Sequence, residues 1–343
     1  MADLRRSPRL LDVAEAAGVS LATASRALAG HQSVSPELVE RVLEVAASLE
    51  YIPNAHARAL AGATPAVVGL IVHDVADPYF AEIAKGVLRV ADKHDLMVLI
   101  NESDRRPETE VARIRSLKAH RVGSIVMAGS GYVDAAEEAV TAAELLAFRN
   151  AGGRVALVGR HHIPVDAVLP DNRGAGASAA RHLIELGHRR LAVLAGPNHL
   201  TTVADRLAGI CDEVEVAGLD PSSVLVEHDA FSREGGVAAA QRVLERGSDT
   251  TAIIAMTDVM AIGALSALRA GRRSVPEEVS LVGLDDVAVS AHLAPALTTV
   301  RLPMADMGEM ALELTLGKPA TRARRRRTGH ELVIRDSTSP PPL

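Results

Sequence analysis

Near the start of the chain, apolar positions recur at helical spacing in three short bursts; further on they switch to buried-strand runs alternating with longer amphipathic segments. In the first burst Val13, Ala14 and Ala17 share one face of a helix predicted from about Leu10 to Ala17, which Gly18 stops. Val19 plugs the turn. Ser20 then caps a second helix, Leu21 to Ala29, with Ala24, Ala27 and Leu28 inward and Leu21, Ala22, Thr23, Ser25 and Arg26 outside. Two short helices across a glycine-containing turn make a helix-turn-helix. Ser35-Pro36-Glu37 supplies a cap, a proline at the first helical position and an acid near the positive end of the helix dipole. A third helix follows, with Leu38, Val42, Val45 and Leu49 closing a three-helix core.

Pro53-Asn54 opens and Gly62 closes a segment of different character, with alanines at 55, 57, 59 and 61 and an exposed Leu60. A helix well under ~12 residues is marginal in water without a partner. This segment is therefore expected to fold only when something packs on it, which makes it a candidate switch.

From Ala66 the runs Val67 to Val72, Leu96 to Ile100, Ser124 to Met127 and Arg154 to Val158 read as strands separated by helices beginning at Phe80, Glu108 and Ala135. A second series has strands beginning at Leu191, Ser223, Ala252 and Ser280. The predicted fold class is an all-α helix-turn-helix head with a hinge helix, followed by an α/β body of two doubly wound parallel-sheet lobes. Residues 1-52 make the head, 53-63 the hinge and 64-343 the body.

A chain of 343 residues has room for this division. No apolar run reaches the ~20 residues that span a bilayer, and Met1-Ala-Asp-Leu-Arg-Arg6 is not followed by a signal-peptide core, so a cytoplasmic place with no membrane partner is expected. The lone Cys211 has no second thiol to pair with. Charge alters the picture more. In the head and hinge, Arg5, Arg6, Arg9, Arg26, Arg41 and Arg58 face seven acids, Asp3, Asp12, Glu15, Glu37, Glu40, Glu44 and Glu50. Binding to DNA must therefore rest on geometry rather than net basicity, and a shallow salt dependence is expected.

Other chemistry is thin. His161-His162 has no companion acid at metal spacing, Gly174-Ala-Gly176 lacks the third glycine of a dinucleotide cradle, and no nucleophile, base and orienting group fall together. Neither a metal, a cofactor nor turnover is expected. The basic run Arg322 to Arg327 reads as a solvated loop.

Asp12-Val-Ala-Glu-Ala-Ala-Gly-Val-Ser-Leu-Ala-Thr-Ala-Ser-Arg26, Tyr51-Ile-Pro-Asn54 and Ala59-Leu-Ala-Gly62 resemble the head and hinge of the LacI/GalR family of bacterial transcription regulators. Asp77-Pro-Tyr-Phe80, Glu185-Leu-Gly-His188, Ala195-Gly-Pro197, Asp205-Arg-Leu-Ala-Gly209, Val282-Gly-Leu-Asp-Asp286 and Pro295-Ala-Leu-Thr-Thr-Val300 carry the resemblance through the body in the family's order. It implies a homodimer, or a dimer of dimers, on double-stranded operator DNA, most often as a repressor. It also implies a body of the periplasmic-binding-protein type whose chain crosses between lobes near His161, Ser290 and Thr321. Lobe 1 would take 64-160 and about 292-320, and lobe 2 163-289 and about 322-339.

Leu21, Ala22 and Thr23 stand where the family reads bases, Ser25 and Arg26 suit phosphate and base contacts, and Ser20 and Ser35 offer hydroxyls and helix-start amides to phosphates. Leu21 and Ala22 offer only apolar contact, so the polar readout falls to Thr23 and Arg26. In the implied hinge, small residues such as Ala57 beside Asn54 let two helices approach in the minor groove, and Leu60 wedges between base pairs; the plainer alternative is an alanine-rich linker.

Effectors of such bodies bind where strand ends of the two lobes face each other. Asp77, Tyr79 and Phe80 follow a strand and start a helix, while Ser130 and Arg160 follow the third and fourth strands. The family's effector positions are occupied by Thr202, Arg206, Asp258 and Asp285, with a helix cap as the alternative for Asp258. Carboxylates with an arginine suit vicinal hydroxyls, and Tyr79 or Phe80 can stack on a sugar or base. Gly159 replaces an aspartate of many sugar-binding relatives, Leu200 a polar residue of purine-binding ones, and no tryptophan is present for a pyranose. A sugar, sugar derivative or nucleoside is expected. The rival functions are a solute-binding protein of the same body fold and, further off, a sugar or nucleoside enzyme.

Overall fold

Small side chains bring the helices of the head together. α1 (Leu10–Ala16), α2 (Leu21–Leu28) and α3 (Pro36–Ser48) surround Val13, Ala14, Ala17, Ala24, Ala27, Val42 and Ala46, all buried. Gly18 ends the first helix with φ +67, a value that favours a residue without a Cβ. In α3 the inward face is Val39, Val42, Ala46 and Leu49, with Val45 half-buried; Leu38 lies outside this cluster, one position off the predicted stripe. The computed structural model describes residues 8–28, 33–51, 67–246 and 249–342, divided into two units after Ala66. The hinge positions Asn54, Ala57 and Leu60 lie outside the described residues.

The body has two sheets. The first contains β1 (Val67–Val72), β2 (Met97–Glu102), β3 (Ser124–Ala128), β4 (Arg154–Val158), β5 (Asp166–Leu169) and β11 (Arg325–Arg327), ordered β11-β5-β4-β3-β1-β2 and wholly parallel. The second contains β6 (Leu191–Ala195), β7 (Leu225–His228), β8 (Ala252–Ala255), β9 (Ser280–Asp285), β10 (Thr298–Arg301) and β12 (Glu331–Val333), ordered β12-β10-β9-β8-β6-β7, with β12 alone antiparallel. Central strands read as unbroken apolar runs because helices cover both faces. Leu70, Val126 and Ala156 pack on one side of the first sheet, and Ile71, Ile125 and Leu157 on the other against Ile114, Leu117 and Leu145.

α4 (Pro78–Lys93), α5 (Pro107–Ala119), α6 (Ala139–Asn150) and α11 (Met304–Leu316) flank the first sheet. α7 (Asn172–Glu185), α8 (Thr201–Val216), α9 (Arg233–Arg246) and α10 (Asp258–Ala270) flank the second. In each sheet the strand order reverses beside its first strand, between β1 and β3 and between β6 and β8. Crevices open at such switch points.

All three crossings between lobes fall later than expected. β5 extends the first sheet beyond β4, so the chain crosses after Leu169 rather than near His161. β10 pairs with β9, which moves the second crossing from Ser290 to the Leu302-Pro303 step before α11. The third crossing lies between β11 and β12, near Gly329, rather than at Thr321. These strands are only three or four residues long, too short for periodicity to register. The basic run is thus in part an edge strand: Arg325–Arg327 pair with β5, and Arg324 donates to both oxygens of Asp166.

Candidate functional site

On α2 the Ser20 Oγ accepts from Thr23 N at 3.1 Å, the predicted cap, and lies 2.8 Å from the Thr23 hydroxyl. Ser20, Leu21, Ala22 and Arg26 are exposed, Thr23 and Ser25 half-buried, and Ala24 and Ala27 turned inward. Leu21 leaves 49% of its surface in solvent, which a core residue of so small a module would not do. Arg26 Nε donates to Ala22 O at 3.2 Å, folding the guanidinium back along its own helix. Ser35 stands at the start of α3 in extended conformation, but its hydroxyl makes no cap bond. The helix start thus presents free hydroxyl and amide groups of the kind that bind phosphate.

In the body, Asp77, Tyr79, Phe80, Ser130, Thr202, Arg206 and Asp285 line one cavity between the lobes, of about 500 Å³ including space open to solvent. Asp77 caps α4, its Oδ1 accepting from Tyr79 N at 3.0 Å, and Pro78 sets the first helical residue; this local geometry turns both rings toward the cleft. Burial holds the Tyr79 hydroxyl above its ordinary pKa and raises that of Asp77.

Arg206 and Asp285 form the floor. Arg206 is 2% exposed and donates from Nε to Asn172 Oδ1 (3.0 Å), from one terminal nitrogen to Met256 O and from the other to Asp285 Oδ1 (2.9 Å). Burial pushes the Asp285 carboxyl upward while Arg206 pulls it down. Asp285 and Asp286 have φ of 119° and 57°, a strained pair at the end of β9.

Arg160 and Asp258 do not line this cavity. Arg160 makes a bidentate pair with Asp205 of α8, 2.8 Å at each contact, because its backbone follows β4 at the lobe boundary. Asp258 is fully buried, with Oδ2 accepting from Val287 N and the Ser290 hydroxyl and Oδ1 from the Thr299 hydroxyl, at 2.6 to 2.9 Å. Burial pushes its carboxyl up to about 6. It anchors the loop that presents Asp285. Ser130 lines the cavity, yet its hydroxyl accepts from Thr202 N (3.0 Å) and lies 3.2 Å from the Thr201 hydroxyl. With Thr201 N to Gly131 O, Val133 N to His199 O and the Arg160–Asp205 pair, it belongs to a seam joining the lobes.

Sequence reasoning passed over His73, Arg105, Phe231 and Thr257, which also line the cavity. Each lies just beyond the carboxyl end of a strand, and that position was the available signal. His73 Nδ1 lies 3.1 Å from Ser103 Oγ, its buried Nε2 has no hydrogen-bond partner among the described residues, and burial together with the neighbouring Arg105 lowers its pKa to about 3. Gly159 has φ +125, and a Cβ there would sit 2.0 Å from Gly129 O, so this backbone admits no aspartate.

A helix-turn-helix head and a two-lobed body with a cleft at facing switch points define the class of DNA-binding regulators built on a binding-protein scaffold. The chain belongs to the LacI family. Residues 9–54 match the model of bacterial regulatory proteins of the lacI family, and residues 65–330 that of periplasmic binding proteins and the sugar binding domain of the LacI family. The HTH-type transcriptional regulator DegA of Bacillus subtilis is 32% identical over 96% of this chain and 98% of its own length. GalR of Escherichia coli is 35% identical over 89% of this chain and 87% of its own. Among solved structures, a lac repressor dimer bound to operator and the anti-inducer ONPF superposes with a TM-score of 0.83 at 25% identity, covering 97% of this chain and 100% of that one. A CelR–cellobiose complex gives 0.71 at 30% identity, over 96% and 99%. The protein is therefore a DNA-binding transcriptional regulator, and its relatives are regulators rather than enzymes. Among the described residues no helix is long and apolar enough to cross a membrane.

Proposed function

We propose that this regulator is a cytoplasmic repressor that reads its operator through the exposed face of α2 and is controlled by a small polar effector held between the lobes. The observation that carries this reading is the convergence of Asp77, Tyr79 and Phe80 from one lobe with Thr202, Arg206 and Asp285 from the other on one cavity. An effector that favours one lobe arrangement shifts operator affinity only by its differential affinity, typically ~1–3 kcal/mol. Its class is a sugar, sugar derivative or nucleoside, as the carboxylates, guanidinium and rings of the cleft favour; CelR, a relative, is solved with cellobiose.

The active form is a homodimer. The edge strand β2 exposes Ile100 (46%) beside Leu88 of α4 (40%), apolar side chains that a second copy would cover. The hinge around Asn54, Ala57 and Leu60 would fold against the minor groove in that dimer, and Leu60→Ala should lower both operator affinity and DNA bend. A thermal-shift screen of sugars and nucleosides, with every hit repeated in an operator-binding titration, tests the whole reading. Ligands that stabilise the body yet never change DNA affinity would overturn it. Turnover of a hit by the purified protein would favour an enzyme instead.

A further inference from the structure

Within the cleft the two arginines are used differently. Arg206 spends its donors on Asn172, Met256 and Asp285, and so neutralises the deepest carboxylate of the cavity. Among the described residues no acceptor lies within hydrogen-bond distance of the Arg105 guanidinium; its nearest carboxylate oxygen, Asp77 Oδ2, is 3.9 Å away. The guanidinium carbon lies 5.8 Å from the ring centres of both Phe80 and Phe231, one ring from each lobe. The rings hold the plane of the fork in place and leave its edge open.

The backbone keeps this side chain where it is. Asp104 and Arg105 both have positive φ, 53° and 52°, a strained turn that Asp104 N to His73 O (2.8 Å) and the Tyr132 hydroxyl to Arg105 O (3.0 Å) secure. A cation that is only 21% exposed, with a planar fork of unspent donors, is matched by an oxyanion far better than by a neutral hydroxyl. We infer that the effector carries an oxyanion, a phosphate ester or a carboxylate on a sugar framework, and that Arg105 selects it. This assignment rests on the effector role proposed for the cleft.

The test is calorimetric titration of the full chain with matched pairs: glucose and glucose 6-phosphate, ribose and ribose 5-phosphate, galactose and galacturonate, with inorganic phosphate alone as a control. In at least one pair the anionic member should bind about 10- to 100-fold more tightly, the range expected of hydrogen bonds to a charged group. The phosphate and uronate arms separate the two sources of the oxyanion. Arg105→Gln should collapse the ratio within that pair, and Arg105→Lys should restore part of it. Because a variant could perturb folding, the salt dependence of the unaltered protein gives a second readout: the affinity of the anionic member should fall with added salt and that of its neutral partner should not. Neutral sugars that bind at least as well as their anionic partners, or a ratio that survives in Arg105→Gln, would overturn the oxyanion assignment. If such neutral sugars also release operator, the proposed regulation stands without it. A panel in which no member binds protein that still binds DNA overturns the oxyanion assignment.

Discussion

The two lobes share a strand order but bring different chemistry to the cleft between them. Lobe 2 contributes a finished ion pair, Arg206 with Asp285, buried and with every guanidinium nitrogen engaged; lobe 1 contributes an unfinished one, Arg105 and Asp77, 3.9 Å apart. A guanidinium so engaged resists change and holds strained backbone in place, whereas unspent groups gain most when a ligand arrives. The lower floor is therefore scaffold and the upper wall is reader, although sequence alone gives both the same residue types.

The sharpest way to break this contrast is at the floor. Arg206→Ala leaves Asp285 buried and unpaired and should cost about 3–5 kcal/mol, read from the urea midpoint of the body. Replacing both partners, Arg206→Met with Asp285→Leu, should recover most of that loss while abolishing ligand response. If the single substitution costs under about 1 kcal/mol, the floor is no more structural than the wall.

Asp258 tests whether the floor has a support of its own. Asp258→Ala strips the acceptor from Val287 N, Ser290 and Thr299 and should cost about 2–3 kcal/mol. Its effect on effector affinity should follow from the freed Asp285 loop, so a stability loss with unchanged affinity would show the two to be uncoupled.

How much of this was legible beforehand depends on length scale. The long strands and helices of both lobes carry enough periodicity to be read, and the rule that ligands sit beyond strand ends brings Asp77, Tyr79, Phe80, Thr202, Arg206 and Asp285 to the cavity. The short strands β5, β10, β11 and β12 hold three or four residues each and form through their neighbours, so the lobe crossings lie later in the chain than periodicity places them. Asp258 and Arg160 stand at plausible positions, but which way a side chain turns is settled by tertiary partners, Ser290 and Thr299 for one and Asp205 for the other. Arg105 was missed for the converse reason: nothing local marks an arginine that two distant rings will flank.

The wall should show itself through pH. His73 has an ordinary value of 6.5 and a folded value of about 3, so its neutral form is favoured in the folded state. That contribution is fully present above pH 6.5 and is lost as pH falls, because the unfolded chain takes up the proton first. Asp258 acts in the opposite sense: its folded value of about 6 exceeds the ordinary 3.8, so acidification through pH 6 relieves a burial penalty. Comparing the protein with His73→Gln isolates the first effect. Between pH 7 and 5.5 the variant should gain about 1 kcal/mol relative to the parent, and parallel curves would show that His73 is not held neutral.

The smallest effect belongs to the seam, where the contrast between scaffold and reader is tested at an exposed ion pair. Arg160 and Asp205 make two 2.8 Å contacts, but their side chains remain 45% and 30% exposed, and pairs so placed contribute about 0.2–1 kcal/mol. Arg160→Ala should therefore move the urea midpoint little, and less still in high salt. The pair joins one lobe to the other, so whatever it contributes belongs to the closed arrangement and not to either lobe alone. A small stability change accompanied by a several-fold loss of effector affinity would place Arg160 among the residues that set lobe closure. If stability and affinity change in the same small proportion, the seam holds through its backbone contacts, and closure rests on Gly131, Val133, His199 and Thr201.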